Sequence, residues 1–334
     1  MDGKELLERR FHIQTDRGVR SSQGMHYESE GLLYTIVDVT NKEPQYLYEL
    51  HQMSQHIIRQ GDRKVAAFVP AAGGHFLVTE EEKDYAVLVS KPRTSRYSFS
   101  ASSLFKFHSR GKTLPLEIKK ASEFAQWKNI WEKQLETLEK SVSKMMEKQP
   151  DEPFASLVIE SYPYYMGMAE NAIQYVADTE MDARPESSDY GTICHKSFRP
   201  QVWEKAPIMR NPFDWAYDHR VRDVSEWLRS SYWEGTLLYR SRFESFLHEY
   251  QQAEPFSAFS WRMIYARLLF PQHYFDCAAI HASTSSLHVK KEKEEELKKY
   301  IKHSREYEQF LASFYERAGV RVSAMQIPEI AWLK

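Results

Sequence analysis

Two cysteines, Cys194 and Cys277, are all that this 334-residue sequence contains. Two thiols cannot form a disulfide framework or an all-cysteine zinc site, so we expect a protein kept in a reducing compartment. Neither sign of charge is in excess, because the formal net charge at pH 7 is −2. Such a balance produces no field that would attract nucleic acid or an anionic membrane surface, and we expect neither as a partner.

Long apolar runs are missing as well. No eighteen consecutive residues are apolar, so we predict no membrane-spanning helix. The first eleven residues are rich in charge and lack the apolar core of a signal peptide. We therefore expect synthesis in the cytoplasm.

Several common enzyme motifs are absent. The sequence has no H-E-x-x-H, no G-x-S-x-G and no G-x-x-x-x-G-K-[ST], and Gly18, Gly24 and Gly31 do not form G-x-G-x-x-G. What it does have is 42% hydrophobic residues, including 8 Trp, 20 Tyr and 18 Phe. This content and the chain length predict a globular protein with one large fold or two lobes.

The order of local patterns indicates where the lobes lie. Strand patterns at 25–39 and 65–89 flank a helix whose apolar face ends before Gly61. A small, polar segment at 93–103 predicts a hinge. Helical apolar stripes then begin at 124 and at 154, the second interrupted at Pro163. We predict an N-terminal strand-rich lobe over 1–98 and a C-terminal, mostly helical lobe over 99–334.

The most informative stretch runs from 190 to 228. A short apolar strand pattern leads into His195 and a polar turn, a second short strand is predicted at 208–209, and Asp214 follows. A helix then opens at Asp223. Strand, polar loop, strand, acidic residue and helix is the order of the catalytic and metal-binding loops of kinase-superfamily phosphotransferases.

These residues resemble the aminoglycoside-phosphotransferase branch, whose loops read roughly H-G-D-x-x-x-x-N and I-D-x-D. They are more similar to the CotS-type spore-coat kinase-like proteins, and within them to the YutH subgroup, through 195–203 (HKSFRPQVW), 214–218 (DWAYD) and 220–223 (RVRD). A late run, 261–274, resembles the F-P-x-x-Y ending of the same proteins. The resemblance implies an α+β, two-lobe protein-kinase-like fold, similar to aminoglycoside phosphotransferases. Its small antiparallel β lobe has one main helix, and its large lobe is mostly helical.

Several positions of the family pattern hold residues unsuited to its chemistry. Ser197 stands where the catalytic-base aspartate belongs, and Val202 stands where a metal-binding asparagine belongs. A serine hydroxyl is a poor base without a base of its own, and Mg²⁺ requires hard oxygen ligands. The strand that should carry the phosphate-binding lysine offers Val37 or Asp38 instead.

Other positions agree with the family pattern. The resemblance makes Glu49 and Asp38 the positions on the nucleotide side, and it makes Asp214, with Asp218 nearby, the metal positions. If the resemblance is set aside, the sequence pattern alone predicts that Glu49 is a solvated helix residue and that Asp214 is a turn or cap residue. His195 is expected to be structural, bonded to backbone near residues 213 and 214.

Neighbouring nucleophiles do not suggest a further catalytic pair. Cys194 and His195 are adjacent on a strand and point to opposite faces. Ser197 lies near His195, but no orienting acid or oxyanion hole can be identified for that pair. His108 is interpreted as a residue near a helix C-terminus, where a partial positive charge is favourable.

The resemblance implies a pseudokinase with a structural or assembly role in the endospore coat and no required cofactor. Such a protein would be made in the cytoplasm of a spore-forming bacterium and would then join the coat, with spore-coat proteins as partners. The alternative is an active phosphotransferase that uses Mg²⁺ and ATP on a small molecule or a coat protein. In that case Lys42 or Lys196 would have to supply the missing positive charge.

Overall fold

The computed structural model describes residues 2–16, 18–21, 24–92, 99–147, 152–199, 203, 210–235 and 239–328. Three predicted features lie wholly or partly outside these residues: the hinge over 93–103, of which 93–98 are not described, the strand at 208–209 and the place of Val202. Residues 101–103 of the predicted hinge are helical. Contacts divide the chain into two compact units, Met1–Glu123 with Gly191–Asp223, and Phe124–Tyr190 with Val224–Lys334. The assignment of lobes to 1–98 and 99–334 stays a prediction.

The first unit is built on a six-stranded sheet in which every described pair is antiparallel. Its strands are β1 (Gly18–Ser21), β2 (Gly24–Ser29), β3 (Leu32–Asp38), β4 (Ala67–Phe68), β5 (Val78–Glu80) and β6 (Lys83–Ser90). The order is β1-β2-β3-β6-β4, and β5 also pairs with β6. Glu30 and Gly31 join β2 to β3 with positive φ angles of 51° and 72°, as a two-residue type I′ hairpin requires. This hairpin agrees with the strand pattern of the sequence.

Three helices with described bounds lie wholly in the same unit: α1 (Gly3–Phe11), α2 (Pro44–Arg59) and α3 (Ala101–Lys112). The sequence did not predict α1, which buries Leu6, Leu7 and Phe11 in the core of the sheet. Pro44 at the first turn and Gly61, with a φ of 85°, bound α2 as predicted.

A two-stranded sheet carries the loops of interest. Its strands are β7 (Gly191–His195) and β8 (Trp215–His219), and a 3₁₀ turn at Pro212–Asp214 leads into β8. Helix α3 packs closely on β7 at Gly111, where an added Cβ would lie 2.6 Å from the backbone nitrogen of Ile193. A glycine is therefore required at this crossing.

The second unit is helical in its described residues. Its helices are α4 (Trp127–Glu147), α5 (Pro153–Asp182), α6 (Val221–Glu234, which starts in the first unit), α7 (Tyr239–Gln251), α8 (Ala258–Leu269), α9 (Gln272–Ser283), α10 (Leu287–Lys302), α11 (Ser304–Ala312) and α12 (Phe314–Arg317). The predicted interruption at Pro163 is wrong, because α5 continues through it. Packing along a 30-residue helix outweighs the one backbone hydrogen bond that proline removes. Among the described helices, none has both the length and the apolar character needed to cross a membrane.

Candidate functional site

The strand pair β7 and β8 brings the two family loops together. His195 ends β7 and pairs with Trp215, the first residue of β8. The backbone N–H of Lys196 donates to the carbonyl of Asp214 at 2.8 Å, which fixes the residues after β7 beside the residues before β8. Ser197, at the position of the family's catalytic base, lies just beyond the strand and is exposed.

Both ring nitrogens of His195 are engaged inside the protein. Trp203 donates its indole N–H to Nε2 at 3.1 Å. Since an indole nitrogen is only a donor, Nε2 must be the acceptor, and the ring proton lies on Nδ1. That nitrogen donates to Asp223 Oδ2 at 2.7 Å. The ring has no nitrogen left for proton transfer, and our expectation of a backbone partner near residues 213 and 214 is wrong.

Asp223 holds this arrangement together from the first turn of α6. Its fully buried carboxylate accepts the backbone N–H of His195 at 2.9 Å, as well as the ring N–H. Its Oδ2 also contacts Nε2 of His108 at 3.1 Å. Burial alone would raise the pKa of Asp223, but His195 and His108 hold it well below its usual range. The carboxylate is therefore charged at every physiological pH.

His108 has a different role from the one we predicted. It lies near the C-terminus of α3, as predicted, but it is fully buried and faces Asp223, so the predicted role as a favourable partial positive charge is wrong. Burial lowers the pKa of His108, although Asp223 acts in the opposite direction. The imidazole is therefore neutral near pH 7 and serves as a hydrogen-bond donor to the carboxylate.

Asp218, the second candidate metal ligand, is paired with a cation of the protein itself. The carboxylate is fully buried. Its Oδ1 accepts the backbone N–H of His219 at 2.7 Å, and its Oδ2 accepts Nη1 of Arg222 at 2.7 Å. The same guanidinium bonds to Glu123, and its Nη2 donates to the carbonyl of Lys196 at 3.0 Å. Burial would lower the pKa of Arg222, but Asp218 and Glu123 raise it above its ordinary value.

Lys196 places a second cation beside the metal loop. Its Nζ donates to the hydroxyl of Tyr46 at 2.6 Å and to the carbonyl of Phe213 at 2.9 Å. Burial lowers the pKa of Lys196, while the carboxylates of Glu123 and Asp214 act to raise it. The ammonium thus lies in the negative field of Asp214, where the family pattern would place a metal ion.

Glu49 is buried on α2 and binds backbone rather than a lysine. Its carboxylate accepts the N–H groups of Lys119, Lys120 and Ala121 at 3.2, 2.8 and 2.8 Å, and Gln45 donates at 3.1 Å. The interpretation of Glu49 as a solvated surface residue is wrong. A carboxylate with four donors is already satisfied, and its role toward a nucleotide stays a prediction.

Asp38 closes β3 with local contacts. Its Oδ1 accepts the N–H and the hydroxyl of Thr40 at 3.1 and 2.6 Å, and Lys83 lies 3.8 Å from its Oδ2. The hydrogen bonds from Thr40 lower the pKa of this exposed carboxylate. Asp38 is therefore a negative charge, and its assignment, or that of Val37, to the lysine position of the family pattern stays a prediction.

One chain of contacts connects these sites. The segment that Glu49 holds pairs with β8, because Tyr217 donates its N–H to the carbonyl of Ala121 at 2.8 Å and accepts the N–H of Glu123 at 2.9 Å. The side chain of Glu123 then reaches Arg222. Our sequence reasoning missed Glu123, for which no motif gives a signal. The ion pair of Asp218 and Arg222 was not predicted either, because Asp218 lies in β8 and Arg222 in α6, so the i, i+4 rule for one helix does not apply to them.

The donor set does not fit Mg²⁺ bound to ATP. One of the two candidate metal carboxylates, Asp218, is paired with Arg222, and the exposed carboxylate of Asp38 lies at one of the two positions considered for the phosphate-binding lysine. A second cluster, formed by His108, Cys194 and Asp223, has donor atoms within 4.8 Å of one another. Its sulfur already contacts the carbonyls of residues 218 and 219, and its carboxylate already accepts three hydrogen bonds. We therefore interpret this cluster as structural.

Known proteins resemble the chain over nearly its whole length. The family model described as "Spore coat putative kinase YutH" matches residues 4–314. The endospore coat-associated protein YutH of Bacillus subtilis (strain 168) is 36% identical over 310 residues, which cover 92% of this chain and 91% of that protein.

Solved structures of low sequence identity share the fold. An aminoglycoside phosphotransferase from Alicyclobacillus acidocaldarius has a TM-score of 0.63 at 16% identity, over 91% of this chain and 93% of that one. The spectinomycin phosphotransferase APH(9)-Ia has a TM-score of 0.54 at 9% identity, over 89% and 92% of the two chains. The predicted α+β, aminoglycoside phosphotransferase-like fold is confirmed. With the family model and the 36% identical relative, these findings establish that the chain belongs to the YutH family of spore-coat kinase-like proteins.

Proposed function

We propose that this protein is a kinase-like component of the endospore coat with a structural or assembly role, and that it transfers no phosphate at a useful rate. It is made in the cytoplasm of a spore-forming bacterium and then joins the coat, where coat proteins are its partners. The coat association of its 36% identical relative supports this location. The proposed loss of phosphate transfer rests on the contacts of Asp218 and on the charges near the nucleotide positions.

The observation that carries the proposal is the ion pair between Asp218 and Arg222. The guanidinium lies 2.7 Å from Oδ2 of this fully buried carboxylate, and Oδ1 accepts the backbone N–H of His219, so both oxygens already have partners in the protein. Freeing Asp218 would leave the buried Arg222 with only Glu123 and a carbonyl as partners. Breaking a buried ion pair by removing one partner costs about 3–5 kcal/mol, so metal binding would have to overcome that penalty.

The charges around the nucleotide positions also disfavour the binding of Mg²⁺-ATP. ATP carries several negative charges, which active kinases offset with a lysine, loop amides and metal ions. Asp38 stands in place of that lysine. Two like charges about 4 Å apart repel by about 4 kcal/mol at an effective dielectric constant of 20. Phosphates at this position would be repelled rather than held.

Titration calorimetry with Mg²⁺-ATP tests the proposal directly. We expect no binding by the full-length protein at nucleotide concentrations up to about 1 mM, where the binding free energy would be only about −4.1 kcal/mol. A radiolabel transfer assay on spore-coat extract should give no labelled product, with an active phosphotransferase of the same fold as positive control. Micromolar binding that is lost in Asp214→Ala, together with labelled product, would show that the proposal is wrong.

The structural role is tested separately in spores. A sporulating strain that produces Asp214→Ala in place of the native protein should assemble a coat of normal protein composition, whereas a deletion strain should not. Coat fractions resolved by electrophoresis give the comparison. A coat that is defective to the same extent in both strains would mean that the metal-loop carboxylate is needed for function.

The position of Lys196 favours the alternative, an ATP-dependent phosphotransferase that acts on a small molecule or a coat protein. Its ammonium is held at the carbonyl of Phe213, in the field of Asp214, where it offers positive charge to a phosphate. If this alternative holds, Lys196→Ala should abolish nucleotide binding. Under our proposal there is no nucleotide binding to lose.

A further inference from the structure

A cationic pocket lies in the first unit, apart from the residues that the family pattern singles out. Its volume is about 400 Å³, and its walls are residues 61–64, the start of α3 and Arg210. None of Ser197, Asp214 and Asp218 is among its described lining residues. Of the lining residues that the structure describes, five are cationic and one is anionic: Arg63, Lys64, Lys106, Arg110 and Arg210, against Asp62. Because the whole chain has a net charge of −2, this excess of positive charge is local to the pocket.

Asp62 does not neutralise the pocket. It is 3% exposed, and its Oδ2 accepts hydrogen bonds from both Arg110, at 2.7 Å, and Arg210. Its Oδ1 is taken by the backbone N–H of Lys64 at 3.1 Å. One negative charge is therefore shared by two guanidinium groups. Burial, together with the charge of Arg110, lowers the pKa of Lys64, as expected where cations crowd one another.

Arg210 is a buried cation that is fixed in the wall of the pocket. It is 4% exposed, and its guanidinium lies 4.2 Å from the ring centre of Trp203 and 5.2 Å from that of Phe107. Its Nε is buried and finds no hydrogen-bond partner among the described residues. Arg210 therefore acts on an anion in the pocket through its charge, which is held in place by the two aromatic rings and Asp62.

The start of α3 adds a weaker attraction for anions. Ser100 caps this 12-residue helix, with its Oγ accepting the N–H of Ser103 at 3.2 Å. Ser102 and Ser103 also line the pocket. A helix N-terminus carries a partial positive charge, which adds to the field of the cationic side chains.

We propose that this pocket binds the phosphate group of a small anionic ligand, either an inorganic phosphate ion or a small phosphomonoester. Guanidinium groups match the geometry of a tetrahedral oxyanion, and the lysines add charge without a fixed direction. The volume lies at the lower end of the range of small-molecule sites, which is about 300–1,000 Å³. The site does not depend on the proposed function, because it uses neither the metal loop nor the nucleotide positions.

Calorimetric titration of the full-length protein tests the site without nucleotide or Mg²⁺. The probes are inorganic phosphate, pyrophosphate and phenyl phosphate, each at an ionic strength held constant with sodium chloride. We expect at least one to bind with a Kd below about 1 mM. Lys64→Ala and Lys106→Ala should each weaken binding about tenfold, in line with the loss of one hydrogen bond to a charged group. Lys133→Ala, at an exposed position on α4, is the matched control and should change Kd less than about twofold.

The rank of the probes identifies the ligand source. Tighter binding of pyrophosphate or phosphate indicates an inorganic ion, and tighter binding of phenyl phosphate indicates a phosphomonoester. Hydrogen exchange of the native protein gives a second readout that needs no variant: the tightest probe should protect amides in 61–64 and 100–110. Failure of all three probes to bind at about 10 mM, or protection confined to other segments, overturns the proposal. So does binding that is unchanged in both pocket variants.

Discussion

Asp223 is the residue whose replacement we expect to disturb the first unit most. Its carboxylate accepts three N–H groups: the backbone and the ring of His195, and the ring of His108. In Asp223→Asn the amide keeps one acceptor oxygen and gains an NH₂ group. Whichever way the amide is turned, its NH₂ faces at least one N–H donor, so donor meets donor in a fully buried site.

The expected loss of stability in Asp223→Asn follows from the charge and the burial of the native carboxylate. Removing one partner from a buried, hydrogen-bonded set of this kind costs about 3–5 kcal/mol. Natural domains are stable by about 5–15 kcal/mol in total, so the variant should be marginally folded at 37 °C. Asp178→Asn is the matched control, since among the described residues this half-buried carboxylate bonds to Gln174 of its own helix, and its change should stay below about 0.5 kcal/mol.

The pH dependence separates this mechanism from simple loss of packing. Because the pKa of Asp223 is lowered in the folded state, its stabilisation is complete above the unfolded-state pKa of about 3.9 and is lost as the pH falls toward the folded-state value. The difference between native protein and Asp223→Asn should therefore be constant from pH 8 to about 5 and shrink below about pH 4.

Two measurements check these expectations. Urea unfolding followed by circular dichroism gives the loss of stability, and hydrogen exchange of peptides covering 191–199 and 215–223 shows whether the loss is local to β7 and β8. A destabilisation below about 1 kcal/mol at pH 7, or a difference that does not shrink at acid pH, would refute the reasoning.

Three further predictions use the same assays. Gly111→Ala places a methyl group 2.6 Å from the backbone of Ile193 and should destabilise by about 1–3 kcal/mol, whereas an alanine at an uncrowded helix position would stabilise. Glu49→Gln removes the charged acceptor of three consecutive N–H groups and should lower the free energy of unfolding by about 1–3 kcal/mol. Hydrogen exchange of the Ala121 amide should become faster, and an unchanged exchange rate would contradict the assigned hydrogen bonds. Burial lowers the pKa of His273, so below about pH 6.5 the unfolded chain binds a proton that the folded protein does not, and the free energy of unfolding falls. His273→Phe should therefore reduce the fall in the free energy of unfolding from pH 7 to 5. An equal pH slope of that free energy in the native protein and the variant would exclude this cause.

The sequence predicted most of the fold because the relevant signals are local. Alternating residues identify β3, while Pro44 and Gly61 mark the limits of α2. The helix α1 was missed because nine residues are too few to form a stable helix on their own, even with good helix formers. Its stability comes from Leu6 and Leu7 packed on the sheet, which is information from distant parts of the chain.

The site was predicted as a set of positions but not as a set of contacts. The motif placed His195, Asp214 and Asp218 near one another, and β7 and β8 do bring their segments together. It did not show that a tryptophan eight residues later would occupy Nε2 of His195, or that Glu123 would share Arg222. Such partners are chosen by tertiary packing, and one sequence alone carries no signal for them.

The shared guanidinium of Arg222 also limits how this protein can change. Under the proposed function, an aspartate at position 197 would supply a candidate base, yet Arg222 would still pair with Asp218, so one substitution would not build a metal site. Replacing Arg222 first would leave Asp218 without its counter-ion in the interior, at a cost of about 3–5 kcal/mol. Either order passes through a sequence that is inactive or less stable. Selection that acts one substitution at a time would therefore tend to preserve the present arrangement.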